Sequence, residues 1–212
     1  EEFDARGFTH KRGFLLWGPA GSGKTCTIAR VIRQVVDAGG VAILAEYPHT
    51  LAEILPKFRM IEPDRRLVVV WEDLDAVIQK CGEQEVLSIL DGEAQVDNVV
   101  FIATTNYPER LDARLVNRPS RFDRVVKIGM PSAEARRRYL EAKNGSTTAP
   151  DGTDLVEATE GFSFGHLREL LVGVYCLKLE PAEVIERLKR MQVKPASGSD
   201  GKIGFNWHEG LN

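Results

Sequence analysis

The sequence contains few cysteines, few histidines and no long apolar segment. Its three cysteines, Cys26, Cys81 and Cys176, are far apart and form no C-x-x-C pair, which argues against a disulfide framework and a zinc site and favours a reducing compartment. The four histidines lack the spacing of metal ligands. The longest apolar runs, such as residues 67–71, have the length of strands, so we expect no membrane-spanning segment in this chain.

The chain also lacks an excess of charge of either sign. With 28 basic and 31 acidic side chains its formal net charge is −3, so no overall basic field points to nucleic acid or to an anionic membrane. Its 212 residues are enough for one substantial core and a small second domain. Because the chain opens on Glu1 and not on methionine, we expect a fragment, with room for a further domain or an anchor before it. We expect a cytoplasmic location.

Five short apolar runs alternate with helical patterns, at residues 13–17, 41–45, 67–71, 99–103 and 125–128. This alternation predicts an α/β domain over residues 1–130, with a doubly wound parallel sheet and helices on both faces. Residues 131–191 predict a small helical domain, with helices at 155–158, 167–177 and 184–191 and with Ser163 and Pro181 at helix starts. We expect a flexible surface loop at 144–150 and a linker-like tail at 192–212, which includes a short aromatic stretch at 205–208.

A phosphate-binding loop follows the first apolar run. Its eight residues, together with the next one, form the predicted nucleotide site: Gly18, Pro19, Ala20, Gly21, Ser22, Gly23, Lys24, Thr25 and Cys26. Glycines let backbone N–H groups turn inward around phosphates at the positive end of the following helix, Lys24 supplies a point charge, and the Thr25 hydroxyl suits Mg²⁺. The order of strand, loop and helix disfavours the alternative, a glycine-rich turn with a surface lysine. The loop therefore predicts binding of a nucleoside triphosphate.

Polar side chains follow the third and fourth apolar runs. Glu72 and Asp73 come at the carboxyl end of a predicted strand, where open α/β sheets place their ligands. One acid in that place can hold the magnesium shell, and the next can orient the attacking water. The alternative interpretation is an N-cap cluster for the following helix. The fourth run ends on Thr104, Thr105 and Asn106, and a neutral donor there suits contact with the water or the γ-phosphate.

Five motifs in chain order resemble those of the AAA+ ATPases, and of the AAA clade within them. Besides the two motifs above, residues 104–112 resemble the sensor 1 segment, with Asn106 as the sensor. Residues 117–124 are similar to the second region of homology, with Arg118 and Arg121 at the arginine-finger positions. Residues 161–167 resemble the opening of the lid helix, where Gly165 and His166 are expected near the nucleotide. The resemblance implies an ATPase that uses ATP and Mg²⁺ and forms a ring, taken as a hexamer, whose fingers reach the next subunit's γ-phosphate.

Two departures from the family pattern change the expectations. In the family, the usual order of the two acids after the third strand is Asp then Glu. Here the order is Glu72 then Asp73, which is similar to that of the Bcs1-like branch. With the positions of the two acids kept, Glu72 serves the metal and the shorter Asp73 must reach the water. The pore-loop region contains Tyr47 without the usual glycine, so a substrate-gripping residue and a plain loop aromatic are both open. The lid offers either His166 or Arg168 as its second sensor.

The motifs favour a ring-forming ATPase that remodels a macromolecular client. The sequence has no evident basic stripe with interleaved aromatics, which favours a protein client over nucleic acid. Because Asp73 replaces a longer glutamate, an ATP-dependent assembly switch with little turnover is the alternative. A GTPase or small-molecule kinase is disfavoured, since no Asn-Lys-x-Asp element is present.

Overall fold

The computed structural model describes residues 2–91, 96–116, 118 and 121–192. Within them, one parallel sheet has the strand order β2-β3-β4-β1-β5, with bounds β1 Lys11–Trp17, β2 Val41–Leu44, β3 Leu67–Trp71, β4 Val99–Thr105 and β5 Arg124–Lys127. Each strand overlaps one predicted apolar run, and the α/β fold is confirmed. β1 and β4 are longer than predicted because Lys11 and Arg12 in one, and Thr104 and Thr105 in the other, also pair in the sheet.

Helices cover both faces of this sheet. Their bounds are α1 Glu2–Ala5, α2 Lys24–Asp37, α3 Pro48–Ile61, α4 Leu74–Cys81, α5 Glu83–Asp91 and α6 Ala113–Val116, with a 3₁₀ turn at Pro108–Arg110. Side chains alternate along β3, so that Val68 and Val70 pack with Ile28 of α2 on one face. On the other face, Val69 and Trp71 pack with residues of α3, α4 and α5. β3 is therefore buried on both sides, as its unbroken apolar sequence predicts.

The described residues divide into two compact units. The first contains the sheet and comprises Glu1–Ser132 together with Gly161–Gly165, and the second comprises Ala133–Glu160 and the residues from His166 onward. The predicted domain limits at 130 and 191 stay predictions. Residues 193–212, which contain most of the predicted tail and its aromatic stretch, lie outside the described residues.

The second unit is helical. Its elements are α7 Ala133–Asn144, α8 Leu155–Ala158, most of α9 Phe164–Leu171, a π-helical segment Val172–Cys176 and α10 Pro181–Met191. α9 begins immediately after Ser163 and Pro181 lies in the first turn of α10, so both predicted helix starts are correct. The predicted helix at 167–177 is interrupted, because it becomes π-helical from residue 172 onward. At Gly173 a Cβ atom would lie 3.0 Å from Val184, so this glycine allows α10 to pack closely.

The segment before α8 differs from the flexible loop that the sequence predicts. The Ala149 N–H donates to the Thr153 carbonyl at 2.9 Å, and Thr148 forms an antiparallel bridge with Asp154. Ala149 is buried, and the Asp154 carboxylate caps α8 by accepting from the N–H groups of its first turn. Local hydrogen bonds therefore hold this segment as a tight turn.

Candidate functional site

The phosphate loop joins β1 to α2 through residues 18–23. Gly23, which precedes α2, has a φ of 109°, a left-handed conformation that glycine adopts without strain. A Cβ atom at Gly18 would lie 2.0 Å from the carbonyl oxygen of Ile128, so the chain after β5 leaves no room for a side chain. These glycines fix the path of the loop, which brings the amino end of α2 to the carboxyl edge of the sheet.

Lys24, the first residue of α2, is buried and points into the loop. Its Nζ donates to the carbonyl oxygens of Gly18 at 2.7 Å and Pro19 at 3.0 Å, and to Oδ1 of Asn106 at 2.6 Å. Burial lowers the pKa of Lys24, whereas the nearby charge of Asp73 raises it. All three hydrogen-bond acceptors are neutral, so no directly bound carboxylate neutralises the ammonium charge.

Asn106 connects Lys24 to Asp73. The parallel register pairs Trp17 with Thr105, and Asn106 therefore emerges from β4 beside the phosphate loop. Its Oδ1 accepts from Lys24, while its Nδ2 donates to Oδ1 of Asp73 at 3.2 Å. This orientation of the amide satisfies both neighbours, because an ammonium group only donates and a carboxylate only accepts. The structure thus brings together three of the predicted site residues.

Asp73 has an unusual backbone conformation for a residue other than glycine, with φ 50° and ψ 58°. Its N–H donates to Oγ1 of Thr104 at 3.0 Å, which ties the residue to β4. Asp73 precedes α4, but its carboxylate makes no capping hydrogen bond to that helix. The alternative interpretation of Asp73 as an N-cap side chain is therefore wrong. Strained backbone of this kind is common where side chains must be aimed at a ligand.

The neighbouring carboxylates have different surroundings. Glu72 is exposed and borders the cavity described below. Asp75 accepts from Oγ1 of Thr105 at 2.7 Å and lies 3.7 Å from Nη1 of Arg110, so it connects α4 to the end of β4. We therefore assign Asp75 a structural role and leave Glu72 and Asp73 as the acids available to a ligand.

A cavity of about 310 Å³ opens over the phosphate loop. Ten of the predicted site residues line it: Ala20, Gly21, Gly23, Lys24, Thr25, Cys26, Glu72, Asp73, Asn106 and Gly165. The volume lies at the small end of the range for small-molecule sites. His166 belongs to the helical unit, and its contact with a nucleotide stays a prediction.

The chemistry of this lining fits a nucleotide and a magnesium ion. Ser22 does not line the cavity, but its hydroxyl is buried in the loop and has no hydrogen-bond partner within the described part of the chain. Lys24 and the amino end of α2 suit phosphate oxygens. Thr25, Glu72 and Asp73 offer oxygen ligands, and Mg²⁺ needs only one or two protein carboxylates when phosphates and water complete its shell.

Two further residues of this cavity are not among the predicted site residues. Thr104 lines it and orients the backbone of Asp73, and Phe164 lines it with ring atoms 3.4 Å from where a Cβ of Gly23 would lie. The strand pattern places Thr104 at the correct edge of the sheet. Phe164 lies about 140 residues after the loop, in the 161–167 segment whose family resemblance predicts Gly165 and His166, but not Phe164 itself, near the nucleotide.

The two predicted arginine fingers differ sharply. Arg118 is exposed, whereas Arg121 is 4% exposed. Nε and Nη2 of Arg121 donate to the two carboxylate oxygens of Asp91, both at 2.6 Å, and Nη1 donates to the carbonyl of Arg114 at 2.5 Å. Hydrogen bonds and the charge of Arg121 lower the pKa of Asp91. The family resemblance predicts that Arg121 reaches out of its own chain, but here its guanidinium is bound within it.

The arginines lie at the opposite edge of the sheet from the phosphate loop. The Gly13 N–H donates to Oδ2 of Asp123 at 2.8 Å, and a Cβ on Gly13 would lie 1.9 Å from the carbonyl oxygen of Arg121. These contacts place Arg121 beside the amino end of β1, whereas Gly18 follows its carboxyl end. Gly18 lies five positions after Gly13 in the sequence, about 16 Å along an extended chain.

Tyr47, which precedes α3, contacts a lysine of its own unit. Nζ of Lys80 donates to its hydroxyl at 3.0 Å and lies 4.3 Å from the ring centroid. The hydrogen bond with Tyr47 raises the pKa of Lys80. Tyr47 is 43% exposed, and its role in gripping a substrate stays a prediction.

Comparison with known proteins identifies the family. Residues 14–130, more than half of the chain, match the family described as "ATPase family associated with various cellular activities (AAA)". The matched range begins within β1 and ends just after β5, so it includes the phosphate loop and both sets of charged residues described above.

Three curated relatives illustrate the similarity. The chain is 32% identical over 89% of its length to a cell division cycle protein 48 homolog of Archaeoglobus fulgidus. It is 31% identical over 97% of its length to a probable mitochondrial chaperone bcs1 of Schizosaccharomyces pombe, and 29% identical over 88% to a probable 26S proteasome regulatory subunit 10B of Caenorhabditis elegans. The aligned regions span 30%, 47% and 51% of these relatives, so the chain corresponds to about half of their length or less.

Proposed function

We propose that this chain, which belongs to the AAA family of ATPases, binds ATP with Mg²⁺ in the cavity over the phosphate loop and hydrolyses it as one subunit of a ring. The observation that carries the proposal is the hydrogen-bonded series Lys24, Asn106 and Asp73 at the carboxyl edge of the sheet. It places a cation, a neutral amide and a carboxylate around one cavity, which are the groups that phosphoryl transfer to water needs.

Each side chain has a proposed task. Lys24 binds the β- and γ-phosphates, displacing its contacts with neutral carbonyls, and Asn106 holds the γ-phosphate or the attacking water. Thr25 and Glu72 hold Mg²⁺, which neutralises phosphate charge when bound. Asp73 orients the water and polarises it for attack. These assignments follow the Glu-Asp order of the Bcs1-like branch, with the metal ligand first and the water-orienting acid second. The similarity to a relative named bcs1 supports this order.

The position of the arginines supports assembly into a ring. Gly13 lies near the amino end of β1 and Gly18 just after its carboxyl end, about 16 Å apart, which is farther than an arginine side chain reaches. An arginine beside Gly13 therefore acts on a nucleotide only if that nucleotide is bound by another subunit. A head-to-tail interface repeated around a closed ring gives every site such an arginine, and we propose a hexamer.

We further propose that the ring remodels a protein client. The names of the relatives include a chaperone and a proteasome regulatory subunit, and the net charge of −3 gives no support for a nucleic-acid client. Movement of the helical unit as a lid, with His166 or Arg168 sensing the nucleotide, would couple hydrolysis to that work. A cytoplasmic location is part of the same proposal.

A second candidate function is an assembly switch that binds ATP and oligomerises with little turnover. The observation that favours this second function is the side chain of Asp73, which is shorter than the glutamate usual at this position. Its carboxylate accepts from Asn106 and makes no capping hydrogen bond to α4.

A steady-state ATPase assay at increasing protein concentration separates the two functions. The ring ATPase predicts sustained turnover per subunit that rises with concentration and then saturates as rings form. A single turnover or less, with ATP-dependent assembly seen by light scattering, would favour the switch. Constant turnover per subunit in a protein that stays monomeric would rule out the ring.

A further inference from the structure

Each nitrogen of the Arg121 guanidinium donates a hydrogen bond within its own chain. Nε and Nη2 form a two-pronged pair with Asp91, and Nη1 is bound by the Arg114 carbonyl. Only 5% of its side chain is exposed. To extend into another subunit, this side chain would give up two charge-assisted hydrogen bonds to Asp91, whose side chain is 38% exposed, and one to a backbone carbonyl.

The backbone of Arg121 is fixed as well. Its carbonyl oxygen occupies the space that a side chain on Gly13 would need, and the nearby Asp123 carboxylate accepts from both the Gly13 N–H and Nη1 of Arg12. Arg121 and Asp123 are therefore fastened to β1 through main-chain and side-chain contacts.

Arg118 is connected to this fixed point but has an exposed side chain. The Arg121 N–H donates to the Arg118 carbonyl at 3.0 Å, so the backbones of the two residues are joined by one hydrogen bond. Arg118 is exposed, and its charge acts on Asp91, as does that of Lys11. Asp91 therefore interacts electrostatically with three cations, namely Lys11, Arg118 and Arg121. Removing its charge would remove this shared attraction.

We propose that Asp91 is a positioning residue that holds Arg121 inside its own chain, so that Arg121 is an internal anchor and Arg118 alone acts in the neighbouring subunit's site. This division of roles rests on the proposed ring ATPase. Asp91, which lies 30 residues from Arg121 in the sequence, thereby has a positioning role. The two arginines are then not equivalent, since Arg118 is the finger and Arg121 is the anchor.

A double-mutant cycle on kcat tests the proposal. Arg118→Ala should lower kcat by about a hundredfold, with KM and the unfolding midpoint unchanged, because an exposed side chain is removed. Asp91→Asn should lower kcat by about tenfold and also lower the unfolding midpoint. In the Arg118→Ala background, Asp91→Asn should cost less than about twofold in kcat, because Asp91 acts through Arg118, yet should lower the midpoint by the same amount.

The controls keep the result interpretable. Asp37→Asn removes another carboxylate that pairs with an arginine, Arg33, far from the site, and should leave kcat unchanged. If Asp91→Asn does not fold, Asp91→Glu preserves the charge and should show a smaller loss, about threefold, that again disappears in the Arg118→Ala background.

Each outcome has a distinct meaning. An equal loss of kcat from the Asp91 substitution in both backgrounds would overturn the proposal, because Arg121 would then contribute independently of Arg118. A rise in kcat in Asp91→Asn would also overturn it, since Asp91 would be restraining a finger. If Arg118→Ala keeps full turnover and turnover per subunit does not depend on protein concentration, the ring ATPase itself is wrong and this inference fails with it.

Discussion

The two edges of the sheet pair their charged residues differently. At the carboxyl edge, Lys24 and Asp73 border a cavity and are connected through Asn106. At the amino edge, Arg121 is buried and pairs directly with Asp91. The acceptors of Lys24 are all neutral, so its charge remains available to an anion. The guanidinium of Arg121 faces a carboxylate through two hydrogen bonds, so its charge is already balanced.

The difference indicates two kinds of site in one unit. Contacts with neutral oxygens are exchanged readily for phosphate, and the edge with the phosphate loop is therefore arranged to bind and release a ligand. The two charge-assisted hydrogen bonds between the buried Arg121 guanidinium and the more exposed Asp91 carboxylate are costlier to exchange, and the edge with Arg121 is therefore arranged to hold the chain in place. β1 connects the two edges.

The largest effect should come from the cation at the exchangeable edge. We expect Lys24→Ala to weaken ATP binding by about a thousandfold, because the substitution removes the only full positive charge inside the loop. Isothermal titration calorimetry measures this affinity, and Lys57→Ala, at an exposed position of α3, is the matched control. Unchanged affinity in Lys24→Ala would show that the nucleotide binds elsewhere.

The next largest effect should be on chemistry alone. Asp73→Asn should still bind ATP but hydrolyse it on the order of a hundredfold more slowly, because an amide cannot polarise the attacking water. Asp75→Asn provides the control, since that carboxylate is bound by Thr105. Should Glu72→Gln abolish turnover while Asp73→Asn remains active, the two acids have exchanged roles.

At the fixed edge, a single added methyl group should be costly. Gly13→Ala places a Cβ 1.9 Å from the Arg121 carbonyl oxygen, and we expect the free energy of unfolding to fall by about 3 kcal/mol. At Gly129, a Cβ atom would meet no other atom within 4 Å, so Gly129→Ala should change stability by less than about 0.5 kcal/mol. Equal values from urea unfolding of the two variants would refute the close approach at Gly13.

The Asp91 pair should give stability a dependence on pH. Because Arg121 holds the pKa of Asp91 below its ordinary value of 3.8, the pair stabilises the fold above that pH and loses this contribution as the pH falls through the lowered pKa. We expect Asp91→Asn to cost about 2 kcal/mol at pH 7, a value reduced by the partial exposure of Asp91, and progressively less below pH 4.

Urea unfolding of both proteins between pH 7 and pH 2 measures this difference. Asp37→Asn removes an exposed pair with Arg33 and should cost almost nothing at any pH. A difference between the native chain and Asp91→Asn that stays constant down to pH 2 would contradict the assignment.

The two edges also differ in how far the sequence predicts them. The phosphate loop, the acids after β3 and Asn106 are local motifs attached to apolar strands, and parallel strands bring their carboxyl ends together, so the sequence is sufficient to place these residues near one another. The burial of Arg121 depends on Asp91, 30 residues earlier, and on the lack of space at Gly13. Neither is visible as a local pattern, since an arginine in a loop is ordinarily exposed.

Contacts between distant parts of the chain also explain why the sequence predicts β1 to be too short. The apolar pattern leaves Lys11 and Arg12 outside β1, because charged residues are rare in buried strands. They are tolerated because Nζ of Lys11 donates to the Leu90 carbonyl and Arg12 pairs with Asp123, contacts that only the folded chain provides.

Mixing two inactive variants tests most directly whether the arginine edge of one subunit completes the phosphate-loop edge of another. Lys24→Ala chains keep Arg118, and Arg118→Ala chains keep the loop, so an equal mixture should regain up to about a quarter of the native turnover through interfaces with one intact half from each. Light scattering should show that both variants enter the assembly. If mixed rings form and turnover does not exceed the sum of the separate variants, the arginine edge does not complete a neighbour's site, and the account of the two edges is wrong.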